Sequence, residues 1–238
     1  MQAVVIGATG GIGRALVRHL AKCPSIDTVH ALSRETHGED PDSILQGYID
    51  FVHESSIQNA AERISENGPV ELVLVASGIL SDGPYLQPEK SYRHQTQAAF
   101  EDIFAINTFG PALVAKHFLP LMPRKGRAVF AALSARVGSI SDNHLGGWHA
   151  YRASKAALNM LIRNYAIEQR RRNEEFIAVG LHPGTVDTEL SRPFQSNVPD
   201  QQLFTPEQSA THLLKVIDGL RPEDSGKVFD WAGQEIPA

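Results

Sequence analysis

A single cysteine in 238 residues, Cys23, excludes an intrachain disulfide and a multi-thiolate metal site, in agreement with a reducing compartment. Lys and Arg number 22 against 27 Asp and Glu, a formal net charge of −5, so the chain lacks the basic excess that nucleic-acid phosphates select. Its one basic run, Arg170-Arg171-Arg172, ends a helical pattern and is followed by Glu174 and Glu175, which reads as a solvated last turn complementing the helix dipole. No apolar run approaches the roughly 20 residues that would span a bilayer. Met1-Gln2-Ala3-Val4-Val5-Ile6 enters an apolar run directly, with neither the basic region nor the cleavage site of a secretory signal, so the expected location is the cytoplasm. The ten histidines are scattered without a His-x-x-x-His pair, and Gly-x-Ser-x-Gly is missing. Neither a zinc hydrolase nor a serine hydrolase is therefore expected, and no metal site.

What is present is an alternation. Ala3–Ile6, Thr28–Leu32, Gly47–Phe51, Val70–Ala76, Ala128–Leu133, Ile177–His182 and Lys227–Trp231 are short, apolar and bounded by turn residues, as buried strands are. Ile12–Ala21, Ile57–Glu66, Ala98–Leu121, Ala150–Arg171 and Pro206–Leu220 carry helical spacing, the last with Thr205 as its cap and Pro206 in its first turn. Right-handed crossovers then give an α/β domain over residues 1–238: a Rossmann-type, doubly wound parallel sheet of about seven strands with helices on both faces. Residues Asp187–Phe204 are polar and without period, a candidate lid.

Gly7-Ala8-Thr9-Gly10-Gly11-Ile12-Gly13 follows the first strand and opens the first helix. Glycines there allow a tight turn and let backbone N–H groups approach a pyrophosphate at a helix N-terminus, with Gly13 permitting close helix–strand packing. The second strand ends Ser33-Arg34, where an NAD site places an acid. A hydroxyl and a guanidinium there suit a 2′-phosphate, so NADP(H) is favoured over NAD(H).

Tyr151-Arg152-Ala153-Ser154-Lys155 puts a phenol and an ammonium on one helix face, where the positive charge is expected to lower the phenol's pKa. The spacing alone is unspecific. Ser134 ends Phe130-Ala131-Ala132-Leu133-Ser134 at the carboxyl edge of the sheet, 17 residues before Tyr151. Asn107 lies in a long apolar helix, where an Asn is poorly placed. Read alone, Ser134 is a capping hydroxyl and Asn107 the site of a helix kink or a buried structural amide.

Taken together these segments resemble the short-chain dehydrogenase/reductase family over essentially the whole chain, and somewhat resemble its C-factor and sniffer-like carbonyl reductases. The resemblance implies that Tyr151 is the general acid/base, Lys155 lowers its pKa and holds the nicotinamide ribose, Ser134 bonds the substrate oxygen and Asn107 positions a relay water. It also implies that Asp50, by itself equally a turn residue, contacts adenine. Pro183-Gly184-Thr185-Val186-Asp187-Thr188 would lie beside the nicotinamide, with the Val186 backbone and Thr188 hydroxyl orienting the carboxamide. Where the family has Asn-Asn-Ala-Gly, this chain has Val75-Ala76-Ser77-Gly78, so Ser77 and the Gly78 backbone would have to replace the lost amides. The implied activity interconverts a ketone or aldehyde and an alcohol, in a homodimer or homotetramer. A dinucleotide-binding regulatory or signalling protein with little turnover is the alternative. Leu80, Tyr85, Val137, Leu145, Trp148 and Phe194 are the expected walls of an apolar pocket, and His182 is read as a hydrogen-bonded structural histidine.

Overall fold

The computed structural model describes residues 1–35, 43–197 and 199–238. Eight strands form the main sheet: β1 (Gln2–Ile6), β2 (Thr28–Ser33), β3 (Ile44–Tyr48), β4 (Leu72–Val75), β5 (Ala128–Leu133), β6 (Phe176–His182), β9 (Val228–Asp230) and β10 (Glu235–Ile236). Their order is β10-β9-β6-β5-β4-β1-β2-β3, parallel throughout except for β10, which returns antiparallel to β9. The order reverses between β1 and β4, and the crevice outside their carboxyl ends is where open α/β sheets take ligands.

Alternate strand residues point to opposite faces and build two cores. Val4 and Ile6 pack with Ile57 and Ile64 of α2 (Glu54–Ser65), Val114 and Phe118 of α4 (Gly110–Phe118), and Leu158 and Ile162 of α5 (His149–Arg170). Ala3 and Val5 pack with Leu16 and Leu20 of α1 (Gly11–Leu20) and with Leu213 and Ile217 of α6 (Pro206–Gly219). Helices therefore cover both faces. The α6 start follows the expectation: Thr205 accepts from Gln208 N while Gln208 Oε1 accepts from Thr205 N, a closed capping box.

The third strand lies three residues earlier than expected, and the reason is local. Ser56 Oγ accepts from Asp50 N at 2.8 Å and donates to Asp50 O at 2.9 Å, so the chain at 49–53 turns into α2 rather than extending. The expected single helix over Ala98–Leu121 is interrupted. α3 (Gln97–Phe104) gives way to a π-helical turn at Ala105–Phe109 before α4 begins, and Asn107 sits in that turn. Asp187–Phe204 is not a free loop either: β7 (Thr185–Val186) pairs with β8 (Leu203–Phe204), which ties both of its ends together. The β9–β10 hairpin adds the strand that the sequence reading lacked.

Candidate active site

Gly7 leaves β1 with φ +84°, and its N–H and that of Ala8 both donate to Leu32 O, at 2.9 and 3.1 Å. A Cβ on Gly7 would stand 2.6 Å from Ser77 Oγ, and one on Gly13 would stand 2.1 Å from Gly7 O. A Cβ on Gly11 would meet the Thr188 methyl at 2.8 Å. The turn thus touches both the segment after β4, Ala76–Gly78, and the segment after β6. α1 opens with Gly10 as its cap and no side-chain cap bond, so its first N–H groups face outward beside Thr9 and Ile12. Glycine alone leaves the turn this close to its neighbours, and with the open N–H groups of α1 these residues fit a dinucleotide pyrophosphate.

At the end of β2, Ser33 is buried and its hydroxyl donates to Glu35 O, while Arg34 is exposed. The residues following Glu35 lie outside the described chain. Asp50 is engaged in its own turn: Oδ1 accepts from Val52 N at 3.1 Å, and Oδ2 lies 3.5 Å from His53 Nδ1.

Asn107 is fully buried and clamps one residue with both ends of its amide. Oδ1 accepts from Ile79 N at 2.9 Å, Nδ2 donates to Ile79 O at 2.8 Å, and Nδ2 also reaches Ser154 Oγ at 3.3 Å. This pins the segment after β4 to the π turn. Gly78 fits between the two groups it joins: a Cβ there would lie 3.5 Å from Asn107 Oδ1 and 3.7 Å from Lys155 Nζ. Lys155 is buried and donates to Leu133 O at 2.8 Å, with Nζ 5.8 Å from the Tyr151 ring centroid.

The electrostatics depart from the expected picture. Burial pushes the Tyr151 hydroxyl up to about 12 and draws Lys155 down to about 8. Desolvation disfavours both charged forms, and the ammonium is turned to Leu133 O rather than to the phenol oxygen, so the expected lowering of Tyr151 is overturned. Ser134 is likewise directed elsewhere. Its hydroxyl donates to Asn159 Oδ1 at 2.6 Å, two turns beyond Tyr151 on α5.

After β6, Gly184 has φ +78° and packs its backbone on Phe204 and Trp231. Pro183 O accepts from Ser209 Oγ at 3.0 Å, and Val186 O accepts from the hydroxyls of Thr188 and Ser191. Phe194 from the following segment lies 5.1 Å from the Trp148 ring, which meets Tyr151 edge-on at 6.3 Å.

A family model described as short chain dehydrogenase matches residues 1–199. The chain is a short-chain dehydrogenase. It is 30% identical over 215 residues to 1-hydroxy-2-glutathionyl-2-methyl-3-butene dehydrogenase of Rhodococcus sp. strain AD45, covering 83% of this chain and 89% of that one. It is 42% identical to C-signal of Myxococcus xanthus over 134 residues, 56% of this chain and 75% of the other. Among solved structures, NADPH-bound carbonyl reductase from chicken fatty liver superposes with a TM-score of 0.84 at 26% identity, covering 100% and 98% of the two chains.

As a short-chain dehydrogenase the chain is a nicotinamide-dependent oxidoreductase, and two residues beside the candidate site escape the sequence reading, although one of them carries a signal. Asn159 had one available, lying at i+4 from Lys155 and i+8 from Tyr151 on the same helix face. Leu190 approaches Gly78 from the segment after β7, which only the folded chain reveals. Of the expected pocket walls, Trp148 and Phe194 stand beside Tyr151, Val137 is half-buried, Leu80 is buried in the protein, and Tyr85 and Leu145 are almost fully exposed. His182 differs from expectation as well: its buried Nδ1 has no partner among the described residues, and burial with Arg136 nearby pulls its pKa down to about 4. No helix among the described residues is long and apolar enough to cross a membrane.

Proposed function

We propose that this enzyme is an NADP(H)-dependent reductase of apolar ketones or aldehydes, working with Tyr151 as general acid. The observation that carries the reading is the convergence of the glycine cradle, Gly78, Asn107 and the Tyr151–Lys155 pair around one crevice at the carboxyl edge of β4 and β5. A dinucleotide held by the glycine cradle would supply the hydride for the carbonyl carbon. Tyr151, neutral with a hydroxyl near 12, holds the proton that passes to the carbonyl oxygen. The phenolate left behind is costly in a desolvated position, and Lys155, with Nζ 5.8 Å from the ring centroid, offsets it by turning from Leu133 O toward the phenol oxygen. With both ends of its amide on Ile79 and Nδ2 also on Ser154 Oγ, Asn107 is assigned to hold the segment after β4 against α5, and its amide hydrogens are already engaged without the relay water expected of it. Ser134 joins only by releasing Asn159. Trp148, Phe194 and Leu190 present an apolar wall, which suits a hydrophobic carbonyl compound.

The test is loss of NADPH absorbance with a panel of apolar aldehydes and ketones. Tight NADPH binding without turnover of any of them would favour the alternative, a dinucleotide-dependent signalling role, toward which the likeness to the protein named C-signal points.

Two expected results refine the proposal. Arg34→Ala should weaken NADPH binding by about tenfold while leaving NADH within twofold, because a guanidinium–phosphate contact of about 1.5 kcal/mol, the low end for a charged hydrogen bond since Arg34 is exposed, is removed. Equal losses for both cofactors in a fluorescence titration would refute the 2′-phosphate assignment. Second, kcat/KM for reduction, which reports the free enzyme, should fall as the pH rises through about 8, where Lys155 loses its proton. The sign follows from the group: a basic side chain is charged below its pKa, so activity that needs the charge is full below 8 and lost above it. A profile flat to pH 10 would remove Lys155's charge from the mechanism.

A further inference from the structure

α5 carries Tyr151 in its first turn, yet it begins without a side-chain cap of its own. Its capping residue is Trp148, in the left-handed region at φ 49° and ψ 45°, the one non-glycine residue with positive φ among the described residues. Gly146 and Gly147 precede it at φ 65° and 68°, so three successive residues are left-handed before the helix starts. A bulky side chain adopts that conformation only when its surroundings impose it.

The residue that imposes it is Glu89, in the segment between β4 and α3. Its main-chain carbonyl accepts from Trp148 N at 2.6 Å, and a Cβ on Gly147 would stand 3.4 Å from the same oxygen. Glu89 as a whole is 5% exposed, and both carboxylate oxygens accept from Ala150 N, at 3.2 and 3.3 Å. Among the described residues no Lys, Arg or His pairs with it. A buried carboxylate needs compensation, and here it comes from the open N–H group and positive end of α5. One residue thus fixes both the strained entry to the helix and its first turn, immediately before Tyr151. Trp148, held at its N–H, lies against the Tyr151 ring and Phe194.

We infer that Glu89 is a positioning residue for Tyr151: a cap supplied from the substrate-side segment after β4, which sets where the phenol stands and couples that segment to the catalytic helix. The inference rests on the reading of Tyr151 as general acid, but the capping itself is observable without activity.

The experiment uses the full chain with E89A and E89Q, following hydrogen–deuterium exchange of the peptide 148–155, NADPH affinity and reductase kcat. The Glu→Gln change keeps the shape and one accepting oxygen while removing the charge. For E89A the expected result is exchange at 148–152 faster by about tenfold and kcat lower by about tenfold, with NADPH affinity within twofold. E89Q should fall between E89A and wild type in both exchange and kcat. Wild-type exchange and kcat in E89A would overturn the proposal. So would a parallel loss of NADPH affinity, which marks general loosening, or faster exchange with wild-type kcat, which marks a structural cap alone. If E89A fails to fold, E89Q alone decides by the same readouts. Failure of the Tyr151 reading is separate: Tyr151→Phe would then be as active as wild type, while exchange still judges the cap.

Discussion

Tyr151→Phe is expected to lower kcat for carbonyl reduction by about 10²–10⁴-fold, the range that a positioned general acid contributes. The substitution removes one oxygen and little else. The ring keeps its edge-on contact with Trp148 at 6.3 Å, and the phenol oxygen makes no hydrogen bond among the described residues, so no group is orphaned by its loss. Stability should therefore stay within about 0.5 kcal/mol of wild type, and NADPH affinity within twofold. The rate is read from NADPH absorbance under saturating cofactor, and stability from a urea transition on the same preparation. Equal rates in the two proteins would remove Tyr151 from the chemistry. A large loss of NADPH affinity would show instead that the residue serves binding.

What the sequence could disclose of this fold depended on how local each signal was. The glycine turn, the Thr205-Pro206 helix start and the strand–helix alternation are written in neighbouring residues, and each stands where expected. β3 does not, because the turn at Asp50 is enforced by Ser56, six residues on, whose hydroxyl bonds the backbone on both sides. The break in the long helix through Asn107 has a local cause, since Pro111 has no N–H to donate to the Asn107 carbonyl four residues back; only the clamp of the Asn107 amide on Ile79, 28 residues away, lay beyond the reach of the sequence.

Within the site the same division holds. Tyr151 and Lys155 share a helix, and their proximity could be read from spacing. The direction of their pKa shifts could not, because it is set by burial under segments distant in sequence and by the Leu133 carbonyl that draws the ammonium aside. Ser134 was placed at the sheet edge correctly, but its hydroxyl follows Asn159. Glu89 has no motif at all: its meaning comes from a backbone N–H 61 residues later.

Gly13→Ala should be the most damaging of the alanine substitutions at Gly10, Gly11 and Gly13, and the three positions separate the possible causes. Position 13 lies inside α1, where Ala is favoured over Gly by about 0.8–1.0 kcal/mol, so propensity alone predicts stabilisation. The added Cβ, however, would stand 2.1 Å from Gly7 O and 2.9 Å from Gly7 C. Both are backbone atoms of the turn and cannot rotate away. Overpacking of about 1–3 kcal/mol or more then exceeds the propensity gain, and relief comes by moving the Gly7 turn off the helix end. That displacement opens the cradle, so NADPH affinity should fall by at least about tenfold, which corresponds to 1.4 kcal/mol. Gly11→Ala meets the Thr188 methyl at 2.8 Å, a side-chain group that can yield, and should weaken binding less. Gly10→Ala meets only Gly7 O at 3.4 Å, with backbone angles of φ −67° and ψ 158° open to any residue, and should be close to neutral in stability. Urea transitions and NADPH fluorescence titrations on the three variants check the order. A Gly13→Ala protein that binds NADPH as wild type does would show that the close packing of α1 on the Gly7 turn is not what forms the phosphate site.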